Sequence, residues 1–548
     1  MLSTMQEVPL TVSRILTHGA TVHGGSTVVT WTGEEIPRRR SFREIGERAA
    51  QLAGALRDEL GVVGSQRVAT LMWNNAEHVE VYFAVPSMGA VVHTLNLRLP
   101  TDQLIWIATH ADDRIIVVDG TLLPLLAPLL PHLPTVEHIV VSGPGDRSLL
   151  GGAGLQVHDY EELIADRPTA YDWPEADERQ AAAMCYTSGT TGDPKGVVYS
   201  HRSLYLHAMQ ANMAESMALT DGDTMLLVVP QFHVNAWGLP HASFMSGTNL
   251  LMPDRFLQPA PLAEMIENER PTCAAAVPTI WQGLLSELTA HPRDVSFMKN
   301  VTVGGSACPP YLIEAYDKLG VRLCHAWGMT ETSPLGTMAH PPAGVTTDEE
   351  WSYRVTQGRF PASVEARLIG PDGQILPWDG ESAGELEVRG PWITAGYYGE
   401  TEDQRLSPAD KFSDDGWLRT GDIGNISSNG YLTLTDRAKD VIKSGGEWIS
   451  SVELENILMA HPDVAEAAVV AVPDEKWGER PLAAVVLREG ATGSFTELRD
   501  FLAKHVAKWQ VPERWTLIPV VPKTSVGKFN KKALRRQYAD GELAVTHV

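Results

Sequence analysis

Between Tyr186 and Gly196 the chain reads Tyr-Thr-Ser-Gly-Thr-Thr-Gly-Asp-Pro-Lys-Gly. Thr187, Ser188, Thr190 and Thr191 offer hydroxyl donors, and Gly189, Gly192 and Gly196 let backbone N–H groups turn toward an anion. Lys195 adds a point charge. A loop built this way can grip a polyphosphate. The apolar residues 181–185 just ahead of it read as a strand that delivers the chain to the loop. It is not a Walker A motif, because Pro194 precedes the lysine and Gly196 stands where Ser or Thr would take Mg²⁺. A Ser/Thr/Gly run by itself is also an ordinary turn, so the rest of the chain has to decide.

The elements that would position such a loop follow a βαβ rhythm. Strand-like runs at 67–73 and 91–95 flank a helical pattern at 76–84, with further strand candidates at 114–119 and 136–141. The rhythm resumes after the loop at 224–229, 262–268 (helical), 273–277 and 299–303. From about Thr356 to Leu434 the text changes to short glycine-punctuated β pieces, 364–368, 384–388 and 430–434, which predict a small antiparallel barrel or sheet. Beyond Asp436 a compact module of roughly domain size carries helices at 451–459 and 494–505 and strands at 465–472 and 482–487. The chain's 548 residues exceed a single average core. The expected fold class is therefore α/β. A large N-terminal domain over 1–436, of βαβ-type sheets plus a small β-barrel, precedes a smaller α+β domain over 437–548.

Forty-four basic and 68 acidic residues leave a net charge of −24. That field opposes nucleic acid and anionic membranes unless a local basic patch intervenes. The greasiest stretch, 122–133, is interrupted by Pro124, Pro128 and Pro131 and falls short of the about 20 apolar residues a membrane span needs. The N-terminus carries no signal-like run, since Glu7 and Arg14 interrupt it. Cys185, Cys273, Cys308 and Cys324 are scattered without metal-ligand spacing, which predicts a reduced, cytoplasmic protein.

Five further runs follow the loop in order: Gly304-Gly305-Ser306-Ala307, Trp327-Gly328-Met329-Thr330-Glu331-Thr332, Gly416-Trp417-Leu418-Arg419-Thr420-Gly421-Asp422, Asp436-Arg437-Ala438-Lys439-Asp440 and Thr524-Ser525-Val526-Gly527-Lys528. Together with the loop they resemble the acyl-adenylate-forming enzymes (acyl-CoA synthetases, peptide-synthetase adenylation domains and luciferases), and the likeness runs along most of the chain. It implies an active site between a large and a small domain. ATP and coenzyme A would be co-substrates, with Mg²⁺ on the phosphates.

The resemblance assigns roles residue by residue. Thr187 to Gly192 and Lys195 would hold the ATP phosphates. Glu331, otherwise an ordinary surface acid, would hold Mg²⁺, and Thr330 stands beside it. Trp327, at a position where most relatives have tyrosine, would stack on adenine next to Gly328; its bland reading is core packing. Gly305, Ser306 and Ala307 would border the base. Asp422 would accept from both ribose hydroxyls, Arg437 would contact the nucleotide, and Lys439 would be the hinge of a mobile C-terminal domain. Lys528 resembles the adenylation lysine, and the downstream basic run 531–536 reads as a solvated helix face.

Gln231-Phe232-His233-Val234-Asn235-Ala236-Trp237 narrows the substrate. His233 resembles the position beside the acyl carboxylate, and Trp237 the tryptophan that gates the acyl tunnel of long-chain synthetases; core packing is the alternative for both. No acid stands near to pair a substrate ammonium, which favours an apolar carboxylate. Lys443-Ser444-Gly445-Gly446-Glu447-Trp448 resembles the loop that enters the site for thioester formation, and the likeness returns at Trp477-Gly478-Glu479-Arg480-Pro481. The expectation is a fatty acyl-CoA synthetase for a medium- or long-chain acid, with no enzyme nucleophile and a homodimeric state. Rival readings are an acyl-AMP ligase serving a carrier protein, a CoA ligase for a small thioether or branched acid, a silent nucleotide- or acyl-binding protein, and an unrelated P-loop NTPase.

Overall fold

The computed structural model of the chain describes residues 1, 3–151, 154–187, 193–399, 405–445, 447–491, 493–524 and 527–548. A seven-stranded sheet runs, edge to edge, through Gln156–Asp159, His138–Ser142, Ile115–Asp119, Arg67–Leu71, Val91–Thr94, Ala181–Tyr186 and Gly196–Ser200. Its pairs are parallel except the last, where Gly196–Ser200 returns antiparallel to Ala181–Tyr186. Strands Arg67–Leu71, Val91–Thr94 and Ile115–Asp119 are buried at every residue, as helices on both faces of a parallel sheet require.

Helix Ala76–Ser87 shows how the two N-terminal sheets meet. Asn75 caps it, accepting from the His78 N–H at 3.0 Å, and all its residues are buried. It packs on strands Val91–Thr94 and Ala181–Tyr186 of the first sheet and on Thr27–Thr30 of the second, so no face is left for solvent. A helix apolar or satisfied all round belongs in such a place.

The second sheet is a continuous path of fourteen strands. Its central run, Asn249–Met252, Thr224–Leu227, Cys273–Ala276, Asn300–Gly304 and Leu323–Gly328, is parallel. From Leu335–Met338 onward it continues antiparallel through Gly358–Arg359, Tyr431–Arg437, Leu418–Ile426, Gly384–Arg389 and Glu365–Ile369. The glycine-rich antiparallel region expected past Thr356 is thus hydrogen-bonded to the parallel sheet through Leu335–Met338. The order brings the ends of Leu323–Gly328, Leu418–Ile426 and Tyr431–Arg437 to one place.

The C-terminal part has its own sheet, centred on Gly478–Leu487, which pairs antiparallel with Val464–Asp474 and parallel with Arg514–Leu517. Helices Ser451–Met459 and Phe495–Leu502 cover one face over Val469, Val485 and Trp515, and helix Lys531–Ala539 covers the other with Leu534. The basic run is therefore not simply a solvated face. Lys531 is buried, pairs with Glu455 at 2.8 Å and donates to the Ser451 hydroxyl at 2.6 Å, while Arg535 pairs with Asp440 at 2.9 Å. Only Lys532 and Arg536 point to solvent. Leu534 fixes the helix orientation, and the i−3 and i+1 positions then face the junction rather than water. Among the described residues no helix is long and apolar enough to cross a membrane.

Candidate active site

A cavity of about 460 Å³ opens where the second sheet, the phosphate-loop strands and the C-terminal part meet. The base of the loop that begins at Thr187 is closed by two hydrogen bonds, Thr187 N–H to Lys195 O at 3.0 Å and Lys195 N–H to Thr187 Oγ1 at 3.2 Å. Gly196 is glycine for a steric reason: a Cβ there would sit 3.1 Å from both Tyr186 Cζ and Tyr398 Cβ. Ser188, Gly189, Thr190, Thr191 and Gly192 lie outside the described residues.

Glu331 sits on the single turn Thr330–Thr332, directly after strand Leu323–Gly328. Its main chain is fixed from two sides, by Tyr199 OH donating to Thr330 O and by Thr394 N–H donating to Glu331 O, both at 2.8 Å. One carboxylate oxygen accepts from Tyr397 OH at 2.8 Å; the other has no protein partner among the described residues. The Lys195 ammonium lies 5.0 Å from the Tyr397 ring centroid. A buried carboxylate with a free hard oxygen, facing a lysine across a cavity, is a donor set that fits Mg²⁺ on a polyphosphate.

Where the cavity is bounded by the antiparallel part of the second sheet, Asp422 and Arg437 are opposite one another on antiparallel strands. Asp422 Oδ1 pairs with Arg437 Nε at 2.9 Å and Oδ2 accepts from Trp327 Nε1 at 2.8 Å. Asp422 holds the Arg437 guanidinium firmly protonated. Each carboxylate oxygen keeps acceptor capacity beyond these bonds, so the aspartate can still take hydroxyl donors. The Trp327 ring packs over Gly336, where a Cβ would meet it at 2.3 Å. Gly305, Ser306, Ala307, Gly328 and Thr330 line the same end of the cavity.

Lys528 lines the cavity from the C-terminal part, its Cε 4.0 Å from where a Gly305 Cβ would lie. Its turn is closed by Thr524 N–H to Lys528 O at 2.7 Å and by Gly527, whose φ of 81° suits glycine. Burial, and then Arg437, push the Lys528 ammonium down to about 8, against the pull of Asp422 and Glu331. Lys439 also lines the cavity, with its pKa lowered chiefly by burial. The junction is latched next to it: Ser450 Oγ donates to Thr435 O, and Ser451 N–H donates to Asp436 Oδ2 at 2.7 Å.

The part of the cavity around Trp237 is built differently. Val234, Asn235, Ala236, Trp237 and Gly238 are consecutive left-handed residues, with φ of 48°, 50°, 49°, 57° and 68°. Left-handed backbone costs a non-glycine residue about 1–2 kcal/mol, and side chains from other elements hold the run in place. Asn235 Oδ1 accepts from Tyr82 OH at 3.1 Å and from Cys185 Sγ at 3.3 Å. Gly238 abuts His207, whose Nδ1 would lie 2.6 Å from a Cβ there. The turn lays the Trp237 indole against Gly304, where a Cβ would be 3.3 Å from Cη2. His233 precedes the turn; burial and then Lys528 hold its pKa down to about 3, so it is neutral at working pH. Ala211, Met217, Leu335 and Met338 line the same cavity as Trp237.

Residues 16–398 match the family AMP-binding enzyme, and residues 453–528 match the AMP-binding enzyme C-terminal domain. The chain belongs to the AMP-binding enzymes. It is 43% identical over 545 residues to the 3-methylmercaptopropionyl-CoA ligase of Ruegeria pomeroyi, covering 98% of this chain and 99% of that protein. The medium-chain-fatty-acid–CoA ligase of Ectopseudomonas oleovorans is 41% identical over 547 residues, covering 98% of both. The fold is that of the anthranilate CoA ligase AuaEII solved with anthranoyl-AMP, at 24% identity and a TM-score of 0.86 over 98% of this chain and 100% of that one. This AMP-binding enzyme is an AMP-forming acid–CoA ligase that works through an acyl-adenylate.

The cavity gathers Thr187, Lys195, His233, Trp237, Gly305, Ser306, Ala307, Trp327, Gly328, Thr330, Glu331, Asp422, Arg437, Lys439 and Lys528, which the motifs single out. The loop expected for thioester formation is not among its lining. Lys443, Glu447 and Trp448 belong to the hairpin of Ile442–Ser444 and Glu447–Ile449. Gly445, with φ of 61°, donates to Trp477 O at 2.8 Å and packs under the Trp477 ring. Gly446 lies outside the described residues. Tyr397, the left-handed turn and the His207 contact escaped the sequence reading, because Gly-Tyr-Tyr at 396–398 reads as plain strand text and no local pattern announces left-handed backbone at Val-Asn-Ala-Trp.

Proposed function

We propose that this ligase activates a small to medium, uncharged carboxylic acid, straight-chain or thioether, and passes it to coenzyme A. The observation that carries this reading is that one cavity is lined by Lys528 and the Trp237 indole and also by the uncharged Ala211, Met217, Leu335 and Met338. About 460 Å³ has to hold the reacting part of the nucleotide as well as the acyl group, which favours a short tail over a long one while Trp237 stays where it is. Relatives named for 3-methylmercaptopropionate and for medium-chain acids agree with that size.

In the first half-reaction the carboxylate attacks the α-phosphorus and pyrophosphate leaves. Thr187 and Lys195 hold the phosphates, Asp422 and Arg437 fix the ribose end, and Trp327 and Gly305 to Ala307 border the base. The Lys528 ammonium neutralises the charge that gathers between carboxylate and α-phosphate. His233, neutral, fills space and offers a hydrogen bond beside the carboxylate rather than moving a proton. Glu331 would hold Mg²⁺, which would offset the charge of the phosphates. In the second half-reaction the division at 436/437 lets residues 437–548 turn about Lys439, withdrawing Lys528 and bringing the loop of Lys443 to Trp448 to the acyl-adenylate. The thiol of coenzyme A then displaces AMP from the carbonyl.

The test is pyrophosphate release across straight-chain and thioether acids of increasing length, with and without coenzyme A. Turnover that needs coenzyme A and peaks at a short or medium chain is expected. A peak at long chains would overturn the size assignment, and adenylate without thioester would overturn the acceptor.

A further inference from the structure

The hydroxyl and the ring of one buried phenol connect the two oppositely charged groups of the phosphate end. Tyr397 is 3% exposed, on the short strand Tyr397–Tyr398. Its OH donates to Glu331 Oε1 at 2.8 Å, and its ring face carries the Lys195 ammonium at 5.0 Å from the centroid. The ring is held at its edge by Phe412, with centroids 5.6 Å apart. The segment carrying it is tied to Glu331 a second time, through Thr394 N–H donating to Glu331 O at 2.8 Å.

Resting on the function proposed above, we infer that Tyr397 is a positioning residue that keeps Lys195 and Glu331 apart and aims one Glu331 oxygen at the metal-bearing phosphates. An ammonium and a carboxylate facing each other in a partly desolvated cavity attract strongly. Pairing directly, they would neutralise each other and fill the seat that the phosphates and their cation need. Among the described residues Lys195 has no carboxylate partner; the Tyr397 face is its cation–π seat. The hydroxyl takes one oxygen of Glu331 out of play and leaves the other free. A phenol does both jobs because it has an apolar, electron-rich face and a polar end.

The experiment is equilibrium binding of ATP to the full chain, in the absence of any carboxylic acid, with and without Mg²⁺. The ratio of the two dissociation constants gives the gain that the metal confers. In Tyr397→Phe the ring stays and the hydroxyl goes: metal-free ATP should bind as in the wild type, and the gain from Mg²⁺ should shrink about tenfold, the scale of one hydrogen bond to a charged group. In Tyr397→Leu metal-free binding should weaken too, because Lys195 loses its seat. Glu331→Gln should abolish most of the gain, and adding Tyr397→Phe to it should cost little more, since the two act through one oxygen. Displacement of Mn²⁺ signal by electron paramagnetic resonance gives the same ratio without any turnover. A Tyr397→Phe protein of unchanged melting temperature that keeps the full Mg²⁺ gain would overturn the assignment while leaving the ligase reading intact. A wild type with no Mg²⁺ gain at all would overturn both the assignment and the Mg²⁺ role of Glu331.

Discussion

The two ends of the cavity are held by opposite means. At the nucleotide end, carboxylates are held by side-chain donors: Asp422 by Arg437 and Trp327, Glu331 by Tyr397. At the acyl end the backbone itself is forced, through the left-handed run from Val234 to Gly238, and uncharged walls from distant elements close the space. The difference follows from what each end must recognise. A nucleotide is the same molecule in every turnover and rewards fixed, pre-paired donors and acceptors. An acyl tail offers only shape, so recognition rests on where a turn sets one indole and on which residues line the pouch.

The comparison breaks most visibly at Lys528, the group that belongs to neither end. Lys528→Ala should slow adenylation by roughly 10²–10³-fold, the scale for losing a key electrostatic contact. Thioester formation from supplied acyl-AMP should be largely spared; equal loss in both half-reactions, measured separately, would refute the idea that Lys528 serves only the first. Within the nucleotide end, Asp422→Asn keeps the shape but removes the charge that holds Arg437. It should weaken ATP binding by on the order of 10-fold or more, as expected for hydrogen bonds to a charged group, with no change in the preferred acid. At the acyl end the expectation is reversed. Trp237→Ala should leave ATP binding alone, lengthen the preferred acid, and lower kcat/KM for the shortest substrate by about tenfold, the worth of one lost apolar contact. If Trp237→Ala changed ATP affinity and left chain length untouched, the two ends would not be separable.

The same contrast explains what was legible in the sequence. Every described nucleotide-end residue named from a motif lines the cavity, because a fixed ligand demands the same types at the same local spacing. The helix Ser451–Met459 and the parallel strands follow from periodicity alone. What escaped is what depends on distant partners. Left-handed backbone at Asn235 is stabilised by Tyr82 and Cys185, far away in the chain. Lys531 reads as a solvated cation until Glu455 and Ser451 are beside it, and burial lifts that glutamate to about 7. Tyr397, on a short strand outside the fourteen-strand path, meets Glu331 only through tertiary packing. Ala211, Met217 and Met338 form a pouch only through tertiary packing.

Lys528 also carries a pH signature that distinguishes it from His233 at the other end. Its pKa of about 8 in the free enzyme lies below the ordinary lysine value, because burial and Arg437 disfavour the cation. The cationic form is present below about 8 and is lost above it, so kcat/KM for adenylation should fall as pH rises through about 8. His233, held near 3, should contribute no limb between pH 5 and 7. The linkage has a stability side. A lysine whose folded pKa is depressed binds its proton less well folded than unfolded, so it destabilises the empty enzyme below about 8, and the penalty fades as pH rises toward 10.5. Lys528→Met should therefore raise the melting temperature of the ligand-free enzyme at pH 7 while adenylation collapses, and the difference should narrow at high pH. A lower melting temperature at pH 7 would mean that Asp422 and Glu331 hold Lys528 more strongly than burial and Arg437 oppose it, and the alkaline limb should then move up with it.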